Sequence, residues 1–347
     1  MIDSPMTNLA HPFKILAAGA GARESIQFEC MPGETLLRAG LRAGYGPSYE
    51  CTSGGCGTCK LDLLDGEVLD LWPAAPGIRP RDRERNRHLA CQSVPTTDCR
   101  VKLRFEPRCV PQHRPQAGAA RLESSRDVTG DIREFTFRGP SARFLPGQFA
   151  LLKHAAAGHA RAYSMSNIAN DEGRWQFMVR RKPGGIFSNL LFELPVGAEV
   201  ELDGPFGMAH LQAATPREIV CIGGGSGIGP MISILRGAGA AGTARPGRMW
   251  LFYGGRAAGD VPRLENFIRT EGIHWHPALS EPPGAATATW SGETGFVHEL
   301  LPRKLSQPFS EYDFYFAGPP PMIDAILKLL ASEHKVPEAQ LHFDRFF

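Results

Sequence analysis

The stretch YECTSGGCGTCK, Tyr49 to Lys60, carries three cysteines and three glycines in twelve residues. Cys51, Cys56 and Cys59 follow the spacing C-x4-C-x2-C, and Cys91 stands alone with 31 residues before it. Four thiolates so spaced suit a [2Fe–2S] cluster. Gly54, Gly55 and Gly57 lack a Cβ and have free access to φ > 0, so the loop can close its amides around an inorganic core. Amides aimed that way stabilise the cluster's negative charge. Structural zinc prefers two short Cys pairs, but Cys91 has no such partner, since seven residues separate it from Cys99. Cys30, Cys99, Cys109 and Cys221 read as core or loop cysteines without a cofactor role.

Outside the loop, the chain is ordinary globular material. It has 347 residues, enough for two or three domains, with 42% hydrophobic and 21% charged residues. A formal net charge of +2 argues for neither nucleic acid nor an anionic membrane as partner. No apolar run is long enough to span a bilayer, and MIDSPMTNLAHPFK lacks a basic stretch leading into an apolar one. A cytoplasmic, monomeric protein is expected, and there eight cysteines read as ligands and buried thiols rather than disulfides.

Three blocks follow one another. In residues 1–106, the β-like runs FKILAAG and ESIQFEC precede a helical pattern from Glu34 to Arg42, the cysteine loop, KLDLLDGEVL and HLACQSVPTTDCRVKLRF. Residues 107–119, with Pro107, Pro111 and Pro115, read as a linker. Residues 120–213 hold short runs such as IREFTFRG, GQFALLKH, RWQFMVRR and AEVELDGPFG between Gly and Pro, which suggests an antiparallel barrel. In residues 214–347 strand and helix patterns alternate, with PMISILRGAG and PRLENFIRTEG as helices, so a parallel sheet with crossover helices is expected.

CTSGGCGTCKLDLLDGEV together with HLACQS resembles the plant-type ferredoxin domain, an α+β β-grasp fold; Thr52 stands where many members have Arg. RAYSMSN, Arg161 to Asn167, resembles the flavin motif of the ferredoxin–NADP reductase superfamily. That resemblance implies FAD, with Arg161 on a flavin phosphate, Tyr163 stacked on the isoalloxazine and Ser164 near the nitrogen that accepts hydride. Arg supplies a permanent planar fork for phosphate, and Tyr a flat face with a polar tip. KPGGIFSNLL resembles the second flavin element, which would place Gly185 and Ser188 at the pyrophosphate, and GPFG resembles the turn closing that domain.

CIGGGSGIGPM looks like a dinucleotide fingerprint, yet no register gives G-x-G-x-x-G. It resembles the ferredoxin-reductase variant G-G-G-x-G-I-x-P, with Gly223, Gly224, Gly225, Gly227 and Pro230 in place. Glycines there let a pyrophosphate approach a helix N-terminus, and Pro230 in a first turn sacrifices no hydrogen bond. YFAGPPPM resembles the C-G-P-P element through Gly318, Pro319 and Pro320, with Ala317 in place of the cysteine. HFDRFF resembles the family's terminal acid-x-aromatic pattern, which would lay Phe346, with Phe347 as competitor, over the flavin; a docked strand with two buried Phe is the structural alternative. FYGGRAAGD offers Arg256 to meet a 2′-phosphate and Asp260 to repel one, and its GGR…D pattern resembles NADH-using oxygenase reductases, which implies NADH rather than NADPH.

The domain order resembles the reductase components of bacterial multicomponent oxygenases, closest in appearance to those of toluene- or phenol-hydroxylating di-iron monooxygenases. The implied role is an NADH-dependent oxidoreductase relaying electrons through FAD and [2Fe–2S] to an oxygenase component or its Rieske ferredoxin, with Tyr163, Ser164 and Phe346 closest to hydride transfer. A Rieske-type dioxygenase reductase and a deoxysugar-type small-molecule reductase share the architecture; a zinc-stabilised binding protein is the non-enzymatic alternative.

Overall fold

The computed structural model describes residues 11–19, 25–212, 215–242, 247–281 and 290–346. They form two compact units, Met1–Gln116 and Ala117–Phe347.

The first unit is built on strands β1 (Phe13–Gly19) and β2 (Ser25–Cys30), helix α1 (Leu36–Arg42), strands β3 (Lys60–Asp65) and β4 (Val68–Asp70), helix α2 (Pro80–Arg83), and strands β5 (Arg87–Leu89), β6 (Ser93–Pro95) and β7 (Cys99–Leu103). Alternation makes β1: Phe13, Ile15 and Ala17 point inward while Lys14 and Leu16 face out. The sheet order is β2-β1-β7-β3-β5, with β1 and β7 parallel. Helix α1 buries Leu36, Leu37 and Leu41, each worth about 1.5–3 kcal/mol relative to exposure. The helix starts two residues later than its pattern suggests. Thr35 caps it by accepting the Arg38 N–H, while buried Glu34, just outside, binds the Arg38 and Arg42 guanidiniums and the Met31 N–H. Leu37 N–H bonds Ala90 O at 2.9 Å, which ties α1 to the residue before Cys91.

The second unit begins with β8 (Gln116–Asp127), whose first residues fall within the proline-containing stretch. Strands β9 (Ile132–Arg138), β10 (Phe149–Lys153), β11 (Arg161–Ser164) and β12 (Arg174–Arg180), helix α3 (Ile186–Glu193) and strand β13 (Glu199–Phe206) follow. The order β11-β10-β13-β8-β9-β12 curls until Met165, just past β11, bridges Phe177 of β12, so a nearly closed six-stranded antiparallel barrel results. Phe135, Phe137, Phe144, Trp175 and Phe177 fill it.

The same unit continues as an α/β layer. Strand β14 (Glu218–Gly224) leads into α4 (Ile228–Ala240), then β15 (Met249–Gly255), β16 (Ile273–Leu279), β17 (Glu293–Thr294), α5 (Val297–Lys304), β18 (Tyr312–Gly318), α6 (Pro320–Leu327) and β19 (Leu341–Arg345). The all-parallel sheet runs β17-β16-β15-β14-β18-β19. Both central strands, β14 and β18, are buried at every residue, because helices cover both faces. Strand order reverses between them, and a ligand crevice opens at their carboxyl ends.

One expected helix is missing. PRLENFIRTEG forms only a 3-10 turn at Leu264–Asn266. Arg126 donates to Asn266 O at 3.1 Å and Arg236 donates to Phe267 O, so those carbonyls serve guanidiniums rather than a helical ladder. Among the described residues no helix is long and apolar enough to cross a membrane.

Candidate functional site

The loop between α1 and β3 carries Cys51, Cys56 and Cys59, the turn after β5 carries Cys91, and the four thiols pair two and two. Cys56 N–H donates to Cys51 Sγ at 3.3 Å, and Thr58 N–H donates to Cys56 Sγ at 3.5 Å. The Cys51 thiol is pulled down to about 5, chiefly by a hydrogen bond from the Cys56 thiol, which is pushed up in turn. Cys59 and Cys91 pair likewise: the hydrogen bond from Cys91 lowers Cys59 and raises its own thiol. Two thiols per iron is the donor set of a two-iron cluster, and amides already point at the sulfurs. The residues present therefore fit [2Fe–2S].

The glycines act differently from expectation. Gly54 and Gly57 adopt left-handed φ of 85° and 79°, but the third such residue is Thr52 at 53°, not Gly55. The space they save is also taken by protein. A Cβ on Gly57 would lie 2.6 Å from Gly77 O, and one on Gly54 3.3 Å from Trp72 Cε3. Gly77, which donates to Gly54 O at 2.9 Å, was not singled out in the sequence because PAAPGIRP looks like any turn. Gln92 was missed too; its Nε2 reaches Cys91 Sγ at 3.7 Å and Thr52 O at 3.5 Å. Cys30, Cys99, Cys109 and Cys221 are all buried. Desolvation pushes each of these thiols up.

In the barrel, β11 sets the RAYS residues by alternation. Ser164 pairs with Phe149 across the ladder and is buried, whereas Tyr163 is half-buried with its ring 5.9 Å from that of Phe187. Burial pushes the Tyr163 phenol up, so it stays protonated. Arg161 is exposed, and among the described residues its guanidinium bonds only the neighbouring Ala160 O, at 3.1 Å. Gly185 is the N-cap of α3, and a Cβ there would crowd Ser188 Oγ at 2.7 Å. The Ser188 hydroxyl accepts the Lys182 N–H at 3.1 Å and keeps its own proton to donate. A helix start, a flat aromatic and an uncommitted guanidinium suit a flavin with its pyrophosphate.

At the sheet, Gly223, Gly224, Gly225 and Gly227 form the turn from β14 into α4. Only Gly225 needs its glycine for a left-handed φ, 57°. Gly227 lies so close to β18 that a Cβ would stand 2.0 Å from Ala317 O, and one on Gly224 would meet Met322 Sδ at 2.7 Å. Pro230 occupies the first turn of α4. Gly318, Pro319 and Pro320 lead from β18 into α6, with Pro319 as N-cap, so both motifs flank the crevice. Asp260 spends its carboxylate locally, accepting the Arg256 and Ala257 N–H groups at 3.0 and 3.2 Å, with the exposed Arg256 guanidinium 3.8 Å away. Strand β19 docks beside β18, and Phe346 N–H donates to Gly318 O at 2.9 Å while its ring packs on the sheet core. Phe347 lies outside the described residues.

Helix α4 is bolted to the flavin strand. Ser233 donates to Asn167 O at 2.6 Å and accepts the Gly147 N–H at 3.3 Å. Arg236, one turn on, donates to Ser166 O at 2.9 Å, and Ser166 donates to buried Glu134 at 3.0 Å. The helix that opens at the glycine turn and the residues just after RAYSM thus share hydrogen bonds. In the sequence Arg236 reads as an ordinary helix-face charge.

Three family models match in chain order: a 2Fe-2S iron-sulfur cluster binding domain over residues 22–96, an oxidoreductase FAD-binding domain over 119–211, and an oxidoreductase NAD-binding domain over 221–328. The chain is 41% identical to ferredoxin–NAD(P)+ reductase CarAd of Metapseudomonas resinovorans, across 92% of this chain and 96% of that one. The chain belongs to the ferredoxin–NAD(P)+ reductases of oxygenase systems. The reductase is also 37% identical to the ferredoxin–NAD(+) reductase component of the alkene monooxygenase system of Xanthobacter autotrophicus, over 92% and 97% of the two chains. It superposes on the solved ferredoxin reductase in carbazole 1,9a-dioxygenase with a TM-score of 0.89, at 37% identity over 97% and 99% of the chains. The reductase is therefore an oxidoreductase with [2Fe–2S], FAD and NAD(P)H as its cofactors.

Proposed function

We propose that the chain takes hydride from NADH and delivers single electrons to a separate ferredoxin or hydroxylase of an oxygenase system. Bound in their sites, FAD accepts hydride and releases electrons singly, and [2Fe–2S] carries one electron at a time. Cys51, Cys56, Cys59 and Cys91 would hold the cluster, with Gln92 and the loop amides stabilising its charge. Arg161, Gly185 and Ser188 would hold the flavin phosphates, while Tyr163 and Ser164 orient the ring. Gly223, Gly224, Gly225, Gly227, Pro230, Gly318, Pro319 and Pro320 would line the nicotinamide crevice, and Phe346, seated beside Gly318, would cover it. No residue need move a proton in hydride transfer, so Ala317 in place of cysteine is compatible with activity. The domain limits at 106, 119 and 213 belong to this reading.

The observation that carries it is the presence in one chain of four thiols paired two and two and a flavin strand bolted to a dinucleotide-type helix. NADH is favoured over NADPH because the Asp260 carboxylate stands against Arg256 and would repel a 2′-phosphate. Anaerobic titration with NADH, followed by absorption and EPR, should bleach a flavin and then develop a reduced-cluster signal. Protein without iron and acid-labile sulfide would overturn the proposal. The motifs favour a di-iron hydrocarbon monooxygenase as the final acceptor. A dioxygenase is the second reading, favoured by the structural match to the reductase of carbazole dioxygenase. Turnover with each purified oxygenase system separates them.

A further inference from the structure

Beside the cysteine loop, the first unit exposes an apolar knuckle that is followed in the chain by a run of arginines, of which Arg83 acts on the carboxylate of Asp70 next to it. Leu71 and Trp72 are 44% and 38% exposed, unusual for side chains of that size and type. Both are anchored to the loop that carries the cysteines. Leu71 N–H donates to Gln92 O at 2.7 Å, next to Cys91, and Trp72 lies against Gly54, between Cys51 and Cys56. The chain then passes Gly77, fixed to Gly54 and Gly57, and enters RPRDRER.

In that run Arg79, Arg81, Arg83 and Arg85 all face solvent, and none has a carboxylate at ion-pair distance among the described residues. Asp82, between them, is buried and bound by Lys60 at 3.0 Å and Arg87 at 3.5 Å, so its charge is cancelled inside. Glu84 is the only other acid in the run. With Glu84 in the run and Asp70 within reach of Arg83, positive charge is still in excess here, in a chain whose formal net charge is only +2. Exposed apolar side chains with like charges nearby suit a small, transient docking face, on which the charges steer encounters.

We propose that Leu71, Trp72 and the arginines of residues 79–85 form the face on which the electron acceptor docks, and that this acceptor is a redox protein with an acidic patch around its own centre. The proposal rests on the function given above. Its physical logic is distance and charge: the surface nearest the thiol-bearing loop is the one from which an electron leaves over the shortest path. Four guanidiniums there raise the local concentration of an acidic partner.

The test uses the full holoprotein and two haem probes of opposite charge, acidic cytochrome b5 and basic cytochrome c. Each NADH reduces two ferric haems to ferrous and releases NAD+ and one proton. Wild type should give a kcat/KM for cytochrome b5 that falls with ionic strength, without such a fall for cytochrome c. The R81E/R83E/R85E variant should lose about tenfold in kcat/KM for cytochrome b5 at low salt, lose its salt slope, and gain on cytochrome c. NADH bleaching of its flavin should be unchanged. Trp72→Ala should lower kcat/KM for both probes, with the salt slopes kept. Equal behaviour of variant and wild type toward both probes overturns the docking proposal while leaving the reductase function intact. Slower reduction of the chain's own cluster in the triple variant would also overturn it, by assigning the face to the flavin unit. Should neither haem be reduced while NADH still bleaches the flavin, the proposed function itself fails.

Discussion

Gly227→Ala tests whether the glycine turn is held by the protein's own backbone. The new Cβ would stand 2.0 Å from Ala317 O, 2.6 Å from its carbonyl carbon and 3.1 Å from Gly318 N. Carbon contacts are comfortable at about 3.5 Å, so more than about 1 Å of separation must open. Strand β18 cannot yield easily, because β14 and β19 hold it on either side and every residue is buried. The start of α4 must move instead. Overpacking of this kind costs about 1–3 kcal/mol, and about 1 Å of misplacement at a reacting centre costs on the order of 100-fold in rate. Anaerobic stopped-flow bleaching of the flavin by NADH should slow by about that factor, and thermal unfolding of the second unit should shift down. The cluster spectrum reports that the first unit is intact. Gly239→Ala in the same helix meets nothing within 4 Å and should stabilise by up to about 1 kcal/mol. Wild-type hydride transfer in Gly227→Ala would refute the argument.

Cys91→Ala should remove the cluster's absorption and EPR signal yet leave NADH able to bleach the flavin; a surviving cluster would exclude Cys91 as ligand. Arg161→Ala should weaken FAD binding by about 10- to 100-fold, measured by flavin release, because a charged hydrogen bond is worth about 1.5–3 kcal/mol. Asp260→Asn should lower KM for NADPH and leave KM for NADH nearly constant, and equal shifts in both would count against its role in choosing the nucleotide. His342 gives a pH signature: burial lowers its pKa to about 4, with Asp313 pulling the other way and the His210 and Arg217 charges adding to the fall, and its Nε2 has no hydrogen-bond partner among the described residues. Between pH 6.5 and about 4 the unfolded chain takes up a proton that the folded chain refuses. Stability should therefore fall as pH drops through that window, by roughly 3 kcal/mol in all. His342→Phe should flatten that part of the curve in denaturant titrations, and an unchanged slope would refute it.

Much of the site was legible because its chemistry is local. The first three cysteines, RAYS on an alternating strand, and a glycine turn between an apolar strand and a helix each fix residue types within about ten positions, and only Cys91 stands far off. FKILAAG became β1, and EIVCIGG within REIVCIGGG became a fully buried central strand, because period and apolarity already determine which faces must be covered. PRLENFIRTEG misled because its carbonyls answer to Arg126 and Arg236, which lie far away in the chain.

By itself, then, the sequence determined the three kinds of fold, their order and the residue types able to hold each cofactor, since those depend on periodicity and short spacing. Tertiary structure decided what each residue is for. It turned Gly227, Gly224 and Gly57 into packing necessities, spent Asp260 on two amides, and joined Ser233 and Arg236 to the flavin strand. It also left four exposed arginines without an ion pair among the described residues, close in the chain to the cysteine loop. The physical reason is the same in each case: steric contact and charge neutralisation act between atoms close in space, and residues far apart along the chain become close only when the chain has folded.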